Sequence, residues 1–93
     1  MDLQVIRERI DQVDKELVRL LEERMRLVSQ VAAYKQEKGL PVLDSSREQL
    51  ILDRVVERLK ESQYEASIRA TFADILNHSR AYQEQFLAEP DDD

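Results

Sequence analysis

Apolar side chains recur along the first third of the chain at Ile6, Ile10, Val13, Leu17, Leu20, Leu27 and Val31, stepping by fours and threes. That period marks one face of an α-helix. Leu3 to Lys38 contains neither Gly nor Pro, so the pattern predicts one helix over the whole stretch. Gly39 suits the left-handed position past a helix end, and Pro41 blocks continuation. Leu40 to Asp44 reads as a linker. Ser45, with Glu48 three residues on, reads as a capping box opening a second helix. That helix carries Leu50, Ile51, Val55 and Leu59 on one face and fades near Ser62. After a polar stretch from Glu61 to Glu65, a third helix is set out by Ile68, Phe72, Ile75, Ser79, Tyr82 and Phe86. The expected fold is all-α, with three helices, a very long first one, and no internal repeat. Residues 1–88 form the expected domain, and 89–93 an acidic tail expected to lack fixed structure.

The length of the first helix carries a consequence. About 35 residues at 1.5 Å each span roughly 50 Å, whereas a compact chain of this size is about 30–35 Å across. One end must project beyond the core with its apolar stripe uncovered. A second copy of the chain is the simplest cover, which predicts a closed two-fold homodimer with antiparallel or crossed long helices.

Composition narrows the partners. Lys plus Arg number 14 and Asp plus Glu 20, giving 14 − 20 = −6. That balance argues against nucleic acid and against adhesion to an anionic membrane. With no cysteine and a single histidine, disulfides and thiolate metal sites are excluded and a histidine zinc site is not expected. Asp2 directly follows Met1, and no apolar run approaches the length of a membrane span. Neither signal peptide nor membrane segment is expected, and the chain is expected in the cytoplasm.

One position breaks the apolar series. The step from Leu20 to Leu27 passes through residue 24, which is Arg. A guanidinium on a buried seam is costly unless paired. It can snorkel to water, pair with an acid such as Asp14 of another helix, or hold an anionic ligand. Lys35 lies eleven residues on, within about 20° of the same face and roughly 16 Å away, so both side chains can converge on a small molecule. The cation-friendly end of the helix would also account for Lys35. Arg7 lies about 25 Å from Arg24 and is rotated by roughly 100°. It cannot join that pocket in its own subunit, although a partner's Arg7 could. A surface pair with Asp11 is the plainer account of Arg7.

Ser79 and Gln83 are stacked four apart beside apolar neighbours on the third helix, and Arg47 and Glu48 open the second. Each has an ordinary explanation alone; together they describe a pocket with cations, an amide, a hydroxyl and a carboxylate. His78 and Ser79 diverge by about 100° on a helix and form no nucleophile–base dyad. The chemistry implied is positioning and electrostatics without a covalent step.

At this point the chain resembles the all-helical (AroQ-class) chorismate mutases over residues 3 to 86. The resemblance rests on the run from Ile6 and Arg7 through Asp14 to Arg24, on Val31 to Lys35, on Gly39 through Asp44, Arg47 and Glu48, and on Ser79 to Gln83. It implies an intertwined homodimer with two equivalent active sites, no cofactor, and the Claisen rearrangement of chorismate to prephenate on the route to phenylalanine and tyrosine. Arg24 and the partner's Arg7 would grip the two carboxylates, since guanidinium forks bind carboxylates bidentately. Lys35 would bridge a carboxylate and the ether oxygen, and Gln83 would donate to that oxygen. Glu48 would accept from the ring hydroxyl, with Asp44, Arg47 and Ser79 completing the wall. Because the chain stops soon after the third helix, no dehydratase, dehydrogenase or allosteric domain is expected, nor feedback inhibition. Two other readings stand beside this one: an isochorismate pyruvate lyase, and a non-catalytic helical dimerisation module.

Overall fold

The structure is a computed structural model that describes residues 2–88. The acidic tail expected over 89–93 lies outside the described residues. Three helices follow in order: α1 (Leu3–Lys38), α2 (Ser45–Arg58) and α3 (Glu65–Ala88), with a short 3-10 turn (Ser62–Tyr64) ahead of α3. The bounds of α1 are those its periodicity predicts. The Asp2 carboxylate caps it by accepting from the Gln4 amide at 2.9 Å. At the other end Gly39 takes φ 66°, and the Leu40 amide turns back to the Lys35 carbonyl at 2.8 Å.

The start of α2 corrects the expected capping box. Asp44 is the cap, and its carboxylate accepts from the Arg47 amide at 3.0 Å, while Ser45 is already the first helical residue. A carboxylate is both a good acceptor and a favourable charge at a helix N-terminus, so the adjoining Asp displaces the Ser from that role. Glu48 is drawn instead toward α3, as described below. The far end of α2 also falls short of Ser62: the chain leaves the helix at Leu59, whose backbone is extended.

Helix α3 packs against both of the others, whereas α1 and α2 make no direct backbone approach to each other. Arg24 meets Ser79 and Ser29 meets Tyr82, so α1 and α3 run in the same direction. Glu48 meets Arg80, and Val55 shares a cavity with Phe72, so α2 runs against α3. The core is correspondingly small, with Ala32, Val55 and Leu76 as its buried apolar side chains. The molecule measures 59 × 30 × 15 Å.

Only the second half of α1 meets α3. From Leu3 to Leu20 every residue is exposed except Ile6, which is half-buried. Leu3, Val5, Ile10, Val13, Leu17, Val18, Leu20, Leu27 and Val31 are each at least 45% exposed. Of these, Leu3, Ile10, Val13, Leu17 and Leu20 share one face of the projecting arm as an uncovered aliphatic stripe, whose burial would release about 1 kcal/mol or more per side chain. Among the described residues no helix is long and apolar enough to cross a membrane.

Candidate active site

The space left between α1 and α2, floored by α3, is a cavity of about 260 Å³. Its wall contains Arg24 and Lys35 from α1, Asp44 from the linker, Arg47 and Glu48 from α2, and Ser79, Arg80 and Gln83 from α3. Seven of the eight site residues anticipated from the sequence therefore line one cavity. The aliphatic part of the wall is built by Val28, Val31, Val42, Ile51 and Leu76.

Among the described residues Arg24 pairs with no acid, and it does not simply extend to water. Its guanidinium donates through Nη1 to Ser79 Oγ at 2.6 Å. Ser79 is buried, and its hydroxyl hydrogen goes to the Ile75 carbonyl at 2.7 Å, leaving a lone pair for Arg24. Burial, and secondarily the Arg47 guanidinium, hold the Arg24 pKa below that of an ordinary arginine. The charged form is thus held in an environment that favours an arriving anion.

Lys35 donates to the Val42 carbonyl at 2.7 Å, which ties the linker over the end of the cavity. An ammonium has three donors, and this bond uses one. Gln83 is 9% exposed, and its Oε1 is buried without a hydrogen-bond partner among the described residues. An unsatisfied buried amide oxygen costs about 1–3 kcal/mol, and the amide can rotate to present either end. A buried, unsatisfied amide facing a cavity suits a polar ligand group.

Glu48 and Arg80 form a two-pronged ion pair, with Arg80 Nη1 at 2.6 and 2.7 Å from the two carboxylate oxygens. Arg80 Nη2 also donates to Asn77 Oδ1 at 3.0 Å, so the guanidinium is braced on its own helix. The bond to Glu48, then the charge of that carboxylate, raise the Arg80 pKa above the ordinary value. Sequence reasoning missed Arg80: it lies 32 residues from Glu48 and reads as one of many arginines on an amphipathic helix. No local pattern in the sequence singles it out, because its partner Glu48 is distant along the chain.

With Glu48 and Arg80 mutually neutralised, Arg24, Lys35 and Arg47 outnumber Asp44. A chain of net charge −6 therefore concentrates positive potential in this cavity. Arg7 is absent from the wall; it is exposed on the arm and pairs with no acid among the described residues, Asp11 included. His78 is exposed while Ser79 is buried, so they form no dyad. The arrangement can bind an anion and stabilise growing negative charge, and it offers no activated nucleophile.

The profile of the family described as chorismate mutase type II matches residues 6–84. The chain is 36% identical over 85 residues to a chorismate mutase of Methanocaldococcus jannaschii, an alignment covering 90% of this chain and 86% of that protein. It is 33% identical over 60 residues to a bifunctional chorismate mutase/prephenate dehydratase of Aquifex aeolicus, covering 64% of this chain and 17% of that protein. It is also 44% identical over 46 residues to a T-protein of Haemophilus influenzae, covering 50% of this chain and 12% of that protein. No solved structure gives a significant match. The profile spans nearly all of the three-helix unit that builds the cavity, and so the chain belongs to the chorismate mutase type II family, with the isomerase activity that name describes.

Proposed function

We propose that the cavity between α1, α2 and α3 is where chorismate is rearranged to prephenate, on the route to phenylalanine and tyrosine. The working unit is a cytoplasmic homodimer with two equivalent sites, each completed by the partner's Arg7. The observation that carries this reading is the convergence of seven anticipated polar residues from both sides of the fold on one small cationic cavity. The exposed aliphatic stripe of the arm supports the dimer.

The reaction breaks one C–O bond and forms one C–C bond inside a single molecule, so no proton or group leaves. What the protein supplies is restraint and charge. Arg24 and the partner's Arg7 hold the two carboxylates, with Arg47 beside Arg24 and Ser79 fixing its direction. Lys35, through a donor left free by Val42, and Gln83, through its amide, meet the ether oxygen where negative charge grows. Fixed donors aimed at developing charge are often the largest catalytic contribution. Glu48, held by Arg80, accepts from the ring hydroxyl, and Asp44 closes the wall through its cap on α2. Confining the flexible enolpyruvyl arm over the ring lowers the remaining entropic barrier. No cofactor or metal enters.

The test is loss of chorismate absorbance in the ultraviolet, with prephenate identified as product. Pure protein that leaves chorismate unchanged but releases pyruvate from isochorismate would reassign it as an isochorismate pyruvate lyase. Protein inert toward both would leave a helical dimerisation module.

A further inference from the structure

A second cavity, of about 270 Å³, opens on the other side of Arg24 and Arg47. Those two arginines are joined in its wall by Arg54 and Arg58, over an apolar base that includes Val55 and Phe72. Among the described residues no carboxylate lines it. Arg47, Arg54 and Arg58 follow at spacings of seven and four, which keeps them within about 40° on one face of α2. Neither Arg54 nor Arg58 pairs with an acid among the described residues. Among the described residues these four guanidiniums meet no counter-charge, although the chain carries a net charge of −6, and a carboxylate brought in from outside would complement them.

The arm of α1 carries one such carboxylate, Asp14, at a fixed distance from Arg7. Arg7 and Asp14 are seven residues apart, within about 20° on one face, and both are exposed. Direction and spacing then decide the match. Because α3 runs with α1 and α2 runs against α3, the path from Arg47 to Arg58 leads toward the N-terminal end of α1. In a two-fold dimer with antiparallel arms, a partner whose Arg7 lies beside Arg24 continues toward that same end. Seven residues carry it about 10.5 Å, from the partner's Arg7 to the partner's Asp14. The same seven residues separate Arg47 from Arg54.

We propose that the arginine-lined cavity seats the arm of a second copy of this chain, with the partner's Asp14 paired to Arg54. That pair sets the register at which the partner's Arg7 reaches the active site. The inference rests on the cross-subunit reading of Arg7 given above.

The chain has no cysteine, so introduced thiols report proximity cleanly. Mixed D14C and R54C chains treated with a short bismaleimide should give a covalent dimer whose linked peptides join positions 14 and 54. Lys15→Cys, about 100° around the helix, should not replace D14C. In sedimentation, Asp14→Arg should raise the dimer dissociation constant about tenfold or more, and adding Arg54→Asp should recover most of the loss. Cross-linking no greater than the Lys15→Cys control, or charge exchange that adds the two losses, overturns the pairing. Mixed Arg7→Ala and Arg24→Ala chains separate the two claims. Activity restored by mixing, without cross-linking or charge rescue, defeats the Asp14–Arg54 pair and leaves the Arg7 reading standing. A monomer in which mixing restores nothing defeats both.

Discussion

A single hydrogen bond of 2.6 Å aims Arg24, and the acceptor is Ser79, 55 residues away on the parallel helix. Ser79 can accept because its own hydrogen is committed to the Ile75 carbonyl one turn back. The hydroxyl cannot rotate without losing that bond, so it fixes the guanidinium in one direction.

Ser79→Ala should therefore leave a half-buried donor unpaired and the guanidinium free to swing. An unpaired donor of this kind costs about 1–3 kcal/mol, which corresponds to a loss of roughly 5- to 150-fold in kcat/KM. Ser79→Thr keeps the hydroxyl and should retain most activity. Steady-state kinetics on chorismate measures both. Full activity in Ser79→Ala would mean that Arg24 is aimed by something else.

Arg24 itself is a cost to the fold. Its pKa is depressed, first by burial and then by Arg47. A base with a depressed folded pKa disfavours folding wherever it remains charged, which for a guanidinium covers the whole working range. Arg24→Leu should thus unfold at the same urea concentration or higher, by up to about 1 kcal/mol given its partial exposure. The increment should be equal at acidic and mildly alkaline pH. Turnover should fall at least about a hundredfold, because no fork remains for the carboxylate. Stability and rate moving in opposite directions would mark a functional residue; retained turnover would remove Arg24 from the site.

The sequence made Arg24 visible because one side chain broke a regular series on a helix with clear ends at Asp2 and Gly39. Lys35, Ser79 and Gln83 were legible for the same reason, as polar positions on faces otherwise apolar. Arg80 was not, since an arginine on a three-helix protein's surface looks the same whether or not it clamps a distant glutamate. Asp44 was read as linker and wall because Ser45 and Glu48 matched a capping pattern one residue later. Local pattern shows which residues are out of place; only packing between helices shows what they hold.

The Glu48–Arg80 clamp gives a different kinetic signature. Arg80→Met keeps the stem that packs in the wall and removes both bonds to Glu48. The loosened carboxylate would meet the ring hydroxyl less often, in the bound substrate and in the transition state alike. KM should rise severalfold with kcat changed less, and Arg80→Lys should recover part of the loss through a single charged donor. Equal KM values for Arg80→Met and the unaltered protein would show that Glu48 needs no clamp.

Gln83 should show the converse. Its Oε1 is buried and unsatisfied, so Gln83→Leu removes a polar liability and should leave the fold as stable or up to about 1 kcal/mol more so. The amide's contribution grows as charge develops on the ether oxygen. Its loss should fall on kcat, by roughly a hundred- to a thousandfold, with KM little altered. Gln83→Glu supplies the sign of the charge effect. At neutral pH an ionised carboxylate there faces the developing negative charge and repels it. Protonation turns the same group into a donor, so activity should climb as pH falls through the carboxyl pKa, while the unaltered protein gains nothing comparable. A pH–rate profile of the two proteins decides the matter, and parallel profiles would place the ether oxygen elsewhere in the cavity.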